Sequence, residues 1–129
     1  MVAVAGPRID VRSLPSVEGV EVQPFVPDLD LRLVACDVAL TQGGLSTTME
    51  LTASRRPFIY FPLKDHCEQN FHVRHRLEQY RAGKRMDFEQ ATPENLAMAI
   101  ESVLSRSVDY LDVETGAAAR VAKRIAELL

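Results

Sequence analysis

Asp37-Val38-Ala39-Leu40-Thr41-Gln42-Gly43-Gly44-Leu45-Ser46-Thr47-Thr48-Met49-Glu50 is the stretch that decides the fold. Its apolar run, Asp37 to Thr41, predicts a buried strand. The diglycine predicts a turn, and about Ser46 to Ser54 predicts a helix. Such a turn leaves free backbone N–H groups at a helix N-terminus, where the dipole favours anions. Glycine lets the chain bend sharply and lets a ligand come close. The expectation is a phosphate cradle, set against an ordinary strand-to-helix connection.

Outward from this stretch, apolar strands alternate with helices. Val2 to Ala5 reads as a strand stopped by Gly6-Pro7, and Val20 to Gln23 as a second. Between them Arg8 to Gly19 reads as a loop. Pro24-Phe25-Val26-Pro27 is an extended link, because each proline restrains itself and the residue before it. Asp28 is placed to cap a short helix, Leu29 to Ala35, with Leu29, Leu33 and Val34 on its apolar face. Downstream, Pro57 to Phe61 predicts a fourth strand and Lys64 to Glu68 a polar loop. A helix to about Arg81 follows, with Val73, Leu77 and Tyr80 as its stripe and Gly83 setting its end. Lys84 to Met86 predicts a brief fifth strand. Thr92-Pro93-Glu94 is a strong helix start. Leu96, Ile100, Val103 and Leu104 are its expected buried face, and Val121, Ile125, Leu128 and Leu129 repeat that spacing in a last helix.

This order predicts an α/β fold, a Rossmann-like three-layer domain with a mostly parallel sheet of four or five strands. Ligands of such sheets bind beyond the carboxyl ends of the strands. The diglycine turn lies at one such end, and Leu63 to Asn70 at the next. Two polar loops after consecutive strands are expected to face one crevice.

Composition narrows the function. The 129 residues suffice for one domain with a core, and 47% of them are hydrophobic. A net charge of -3 gives no reason to expect nucleic acid as a partner. No apolar run is long enough for a membrane span. Two cysteines, Cys36 and Cys67, make no disulfide framework and suit a reducing compartment. The start carries no signal-peptide pattern, so the cytoplasm is the expected location.

Gln42-Gly43-Gly44-Leu45-Ser46-Thr47-Thr48-Met49-Glu50, then Pro57, Pro62 and Glu68-Gln69-Asn70, resembles the nucleotide-sugar-binding half of GT-B glycosyltransferases. The resemblance takes in the plant-type UDP-sugar transferases and the N-acetylglucosaminyl transferases of peptidoglycan synthesis. It covers about Val20 to Leu104. Their pattern is a (His)-x-Gly-x-x-(Ser/Thr) turn, an acid a few places on, two spaced prolines, then an acid-Gln pair. Phe25-Val26-Pro27-Asp28 sits about where the plant enzymes carry Trp-Ala-Pro-Gln.

The resemblance implies a nucleotide sugar, UDP-linked, as the bound partner, and no metal or other cofactor. It places Gly43, Gly44, Leu45, Ser46 and Thr47 along the diphosphate and Glu50 on the ribose hydroxyls. Glu68 and Gln69 would reach the sugar, and His66 a phosphate or an acceptor. Phe25 would stack on the base, with Val26 beside it through its backbone. Gln42 stands where many members have a phosphate-facing histidine; it can donate a hydrogen bond but brings no cation. The N-terminal acceptor domain, the usual general base and the first strand of the donor domain are not expected within these residues. The resemblance implies glycosyl transfer. The alternatives are a non-catalytic nucleotide-sugar-binding or assembly module completed by a partner chain or by self-association, and more remotely a nucleotide-sugar epimerase.

Each residue also has a plainer explanation. Thr47 and Glu50 have capping-box spacing. Glu68-Gln69-Asn70 could simply start a helix, with Asp65 or Asn70 as its cap, and Phe25 could be core. His66, Cys67, His72 and His75 lack a second pair at zinc-ligand spacing, so no metal site is expected. Arg74, Arg76, Arg81, Lys84 and Arg85 read as a solvated helix face or a surface toward a partner domain.

Overall fold

The computed structural model describes residues 1–128; Leu129, expected in the last helical stripe, lies outside the described residues. The chain divides into two compact units, Met1–Arg32 and the remainder from Leu33.

In the first unit β1 (Val2–Val4) pairs in parallel with β2 (Glu21–Gln23), Val2 opposite Glu21. The loop between them holds a 3-10 turn at Val11–Ser13, started by Asp10, whose carboxylate accepts the Arg12 N–H. Val26 is buried and Phe25 is exposed. Helix α1 (Leu29–Ala35) has the expected bounds but a different start. Asp28 does not cap with its side chain: its φ is 50°, outside the extended region of a capping residue, and its carbonyl accepts the Arg32 N–H. The apolar face expected of α1 is also corrected, since no residue of the helix is fully buried and Leu29 and Val34 are exposed.

The second unit is built on β4 (Phe58–Phe61), the central strand of a parallel sheet ordered β3–β4–β5 with β3 (Ala39–Gln42) and β5 (Lys84–Arg85) at its edges. Phe58, Ile59 and Tyr60 are all buried, as a strand covered on both faces requires. Phe58 and Tyr60 share one face. With Ala39 they meet Leu51 of α2 (Leu45–Ala53) and Leu77 of α3 (Arg74–Tyr80) in the core, joined by Val73 and Ala82. Ile59 points to the opposite face and is fully buried, and α4 (Pro93–Leu104) packs on β4. Helices and parallel strands are layered as read from the sequence, but the single sheet of four or five strands is corrected to two sheets, β1–β2 and β3–β4–β5.

β3 begins two residues later than expected and its outer face is open: Leu40 is 40% exposed. β3 is an edge strand, paired only with β4. Ala39 and Gly43 direct their N–H groups to Pro57 and Phe61, so the backbone groups of the alternating Leu40 and Gln42 face the unpaired edge.

Helix α3 ends on Arg81, not on Gly83. Arg81 holds φ 56° and its N–H bonds back to Glu78 O and Leu77 O. Gly83 also has positive φ, and a Cβ there would lie 2.3 Å from the Phe58 ring, so close packing explains the glycine.

At α4 the Thr92 hydroxyl accepts the Asn95 N–H at 3.2 Å with Pro93 at the first turn, as expected. Only Ala99 is buried; Leu96, Ile100 and Val103 are half-buried and Leu104 is exposed, narrowing the expected face. The last helix, α5 (Ala117–Ala126), forms, yet Val121, Ile125 and Leu128 are exposed rather than buried. Among the described residues no helix is long and apolar enough to cross a membrane.

Candidate anion-binding turn at the strand ends

Parallel pairing sets Gln42 opposite Phe61, so β3 and β4 finish side by side. The Gly43 N–H donates to Phe61 O at 3.3 Å, carrying the pairing one residue into the turn. The two polar loops therefore leave the same end of the sheet.

The two glycines differ. Gly43 is buried, and a Cβ on it would lie 3.3 Å from the Pro62 Cα and 3.4 Å from Gln69 Oε1. It is a glycine because the loop after β4 packs against it. Gly44 is the residue before α2, with φ -73° and ψ 139°, and no protein atom lies within 4 Å of a Cβ built there. Nothing in the fold explains this second glycine, and the space in front of it is open.

The start of α2 carries no side-chain cap. Its first intrahelical bond is Thr48 N–H to Gly44 O, so the N–H groups of Leu45, Ser46 and Thr47 have no partner among the described residues. The Thr48 hydroxyl donates back to Gly44 O and Leu45 O and is fully buried. Ser46 is exposed and Thr47 half-buried, and neither hydroxyl has a hydrogen-bond partner among the described residues. Three N–H groups, two hydroxyls and the positive end of a nine-residue helix thus meet open space.

The capping-box explanation of Thr47 and Glu50 is overturned. Gly44 takes the cap position, so Thr47 stands inside the helix where it cannot cap. Glu50 is exposed, with no ion-pair partner among the described residues. Gln42, at the end of β3, is exposed as well.

On the β4 side the helix begins earlier than α3. Glu68–Val73 is π-wound and runs directly into Arg74–Tyr80, a winding that sequence periodicity does not reveal and that recurs near functional sites. Gln69 is buried, and its Oε1 accepts the Leu63 N–H at 2.9 Å, leaving Nε2 as a free donor. Asn70 does not cap an N–H group; its Nδ2 donates to the carbonyls of Leu63, Lys64 and His66 and holds that loop closed. Glu68 and His66 are exposed on the loop and first turn so fixed. Neither Pro62 as the wall of the turn nor Asn70 as the loop's clamp was singled out from sequence; the seven-residue spacing from Leu63 to Asn70 was the available signal.

The structure thus brings Gly43 directly against Gln69, with Gly44, Leu45, Ser46, Thr47 and Glu50 following on α2 and Glu68 and His66 flanking Gln69. Phe25 and Val26 belong to the first unit. Phe25 is 73% exposed, which excludes the core explanation, and Val26 is 8% exposed. His66, Cys67, His72 and His75 do not converge: among the described residues no group of three or more His, Cys, Asp or Glu could hold a metal ion.

Parallel strands alternating with helices, with a glycine turn and a helix start at the carboxyl end of the sheet, place the chain in the α/β class. The chain belongs to the glycosyltransferase family 28 C-terminal domain family, whose model matches residues 7–129.

It is 31% identical over 113 residues to the UDP-N-acetylglucosamine–N-acetylmuramyl-(pentapeptide) pyrophosphoryl-undecaprenol N-acetylglucosamine transferase of Acidiphilium cryptum, covering 84% of this chain and 30% of the relative. An uncharacterized glycosyltransferase of Methanopyrus kandleri is 30% identical over 101 residues, 78% of this chain and 29% of the relative. The crystal structure of the kitacinnamycin glycotransferase superposes with a TM-score of 0.63 at 26% identity, over 81% of this chain and 26% of that one. The chain therefore spans less than a third of each of these proteins.

Proposed function

We propose that this domain binds the donor of a glycosyl transfer, a nucleoside diphosphate sugar carrying uridine, and steadies the diphosphate as it leaves. The observation that carries this reading is the open, uncapped turn at Gly44 beside the Gln69 loop. Fixed N–H groups from Leu45 to Thr47, two hydroxyls and the helix dipole would meet charge that grows on the leaving diphosphate, where preorganised donors act most strongly. Glu50, an acceptor-only carboxylate, would take the ribose hydroxyls. Gln69 Nε2 and Glu68 would address the sugar. UDP-N-acetylglucosamine is the first donor to try, because the Acidiphilium cryptum relative carries that compound in its name.

The acceptor and the general base are assigned, in this proposal, to further polypeptide in the same chain or a separate one. The exposed stripe of Val121, Ile125 and Leu128 supports a surface awaiting cover.

Calorimetry of the wild type and of Gly44→Val with UDP and UDP-N-acetylglucosamine tests the donor site. Gly44 has ordinary backbone angles and open space, so the variant should fold. Saturable binding by the wild type, lost in the folded variant, is expected. Equal binding by both, or none by the wild type at millimolar ligand, would refute the site.

A further inference from the structure

An open cavity of about 590 Å³ lies on the second unit, lined by residues of α3, β5 and the turn between them. It shares no lining residue with the turn at Gln42–Thr47. Arg74, Arg81 and Arg85 wall it, with Glu78 and Asp87 between them, and Tyr60 forms its floor.

Tyr60 is the telling residue. Its ring is buried, the residue being 3% exposed, while its hydroxyl has no hydrogen-bond partner among the described residues and is not one of the buried side-chain atoms, so it opens to the cavity. The groups around the phenol are charges: Arg85, Glu78, Arg74 and Asp87. A phenol O–H that opens to the cavity and bonds to no protein group is free to donate to a bound anion. The arginines are loosely held. Arg74 pairs with Glu78 at 2.8 Å and Arg85 with Asp87 at 3.1 Å, while Arg81 reaches Asp109 at 3.4 Å. Pairs as open to water as Arg74–Glu78 and Arg81–Asp109 contribute little and exchange readily for a better anion.

The geometry points to a second ligand site here, for a small phosphate monoester that also carries hydroxyl groups. Its phosphate accepts from the Tyr60 O–H and from the planar forks of Arg74 and Arg85, which suit oxyanions. Glu78 and Asp87, released from part of their pairing, accept from the ligand's hydroxyls. Three cations against two carboxylates leave the lining net positive, and the volume is that of a small-ligand site. This site does not depend on the donor reading.

NMR of the arginine Nε–H groups, with the full chain titrated with glucose 6-phosphate, tests it. Saturable shifts at Arg74 and Arg85 are expected, with a dissociation constant of about 1 mM or tighter. Tyr60→Phe keeps the ring and should weaken binding about tenfold, as loss of a bond to a charged group does; Arg74→Gln, on an exposed side chain, should do the same. Gly44→Val should leave these shifts unchanged. Shifts that fail to saturate, or that survive in both Tyr60→Phe and Arg74→Gln, would overturn the site. So would shifts lost in Gly44→Val alone, since the phosphate would then sit at the donor turn.

Discussion

Gln69 and Gly43 are locked together: the Gln69 side-chain oxygen that accepts the Leu63 N–H lies 3.4 Å from where a Cβ on Gly43 would begin. One buried amide thus fixes the loop after β4, which packs against the turn after β3. Gln69→Leu removes the acceptor and leaves the Leu63 N–H unpaired, which should cost about 1–3 kcal/mol in urea unfolding. Gly43→Ala presses on the Pro62 backbone, and overpacking of this kind costs a similar about 1–3 kcal/mol. Because both variants strain one contact, the double variant should lose less than the sum of the singles.

Glu50 gives the contrasting case. Its carboxylate is exposed and unpaired among the described residues. Glu50→Gln should therefore move stability by no more than about 0.5 kcal/mol. If it holds the ribose, the same change should weaken UDP about tenfold, or about 1.4 kcal/mol, and leave the affinity of a ribose-free diphosphate unchanged. Calorimetry with UDP and with pyrophosphate separates the two.

Alkali should act through the tyrosines. Burial pushes the phenols of Tyr60 and Tyr110 above the ordinary tyrosine value, partly offset by Arg85 at Tyr60 and by the backbone of Gly83 and Phe58 at Tyr110. A phenol that holds its proton more tightly when folded contributes stability that is whole below the unfolded value of about 10 and is lost as pH rises through the folded one. Absorbance at ~295 nm should show two of the three tyrosines ionising late, together with loss of structure.

The stripe on α5 bears on association. Val121→Glu and Ile125→Glu replace exposed side chains and should each change stability by about 0.5 kcal/mol or less. Light scattering of the wild type should show mass above the monomer at high concentration, and the double variant should return it to the monomer. A wild type that stays monomeric throughout would remove self-association as the role of this stripe.

What was legible in the sequence was what depends on local pattern. The apolar runs around Leu40 and Ile59, the proline after Thr92 and the diglycine after Gln42 fix strands, cap and turn by short-range pattern. Distinguishing Gly43 from Gly44 needed the loop after β4, which no neighbouring residue encodes. Arg81 took the left-handed cap position in place of Gly83 because the Phe58 ring claims Gly83 for packing. Thr47 and Glu50 had the right spacing for a capping box, yet the helix began three residues too early for it. The faces of α1 and α5 misled because periodicity reports an apolar stripe without showing that anything covers it.

The π-wound segment Glu68–Val73 also makes the chain unforgiving of length. Such a segment accommodates one more residue than an α-turn does. Deleting a single residue from it would let the helix heal into regular α form, leaving the flanks in register but re-angling the residues inside the wide turn. The amide of Gln69 would swing off the loop it secures. A shortened helix would be easier to wind, and the crevice between the two strand ends would come undone.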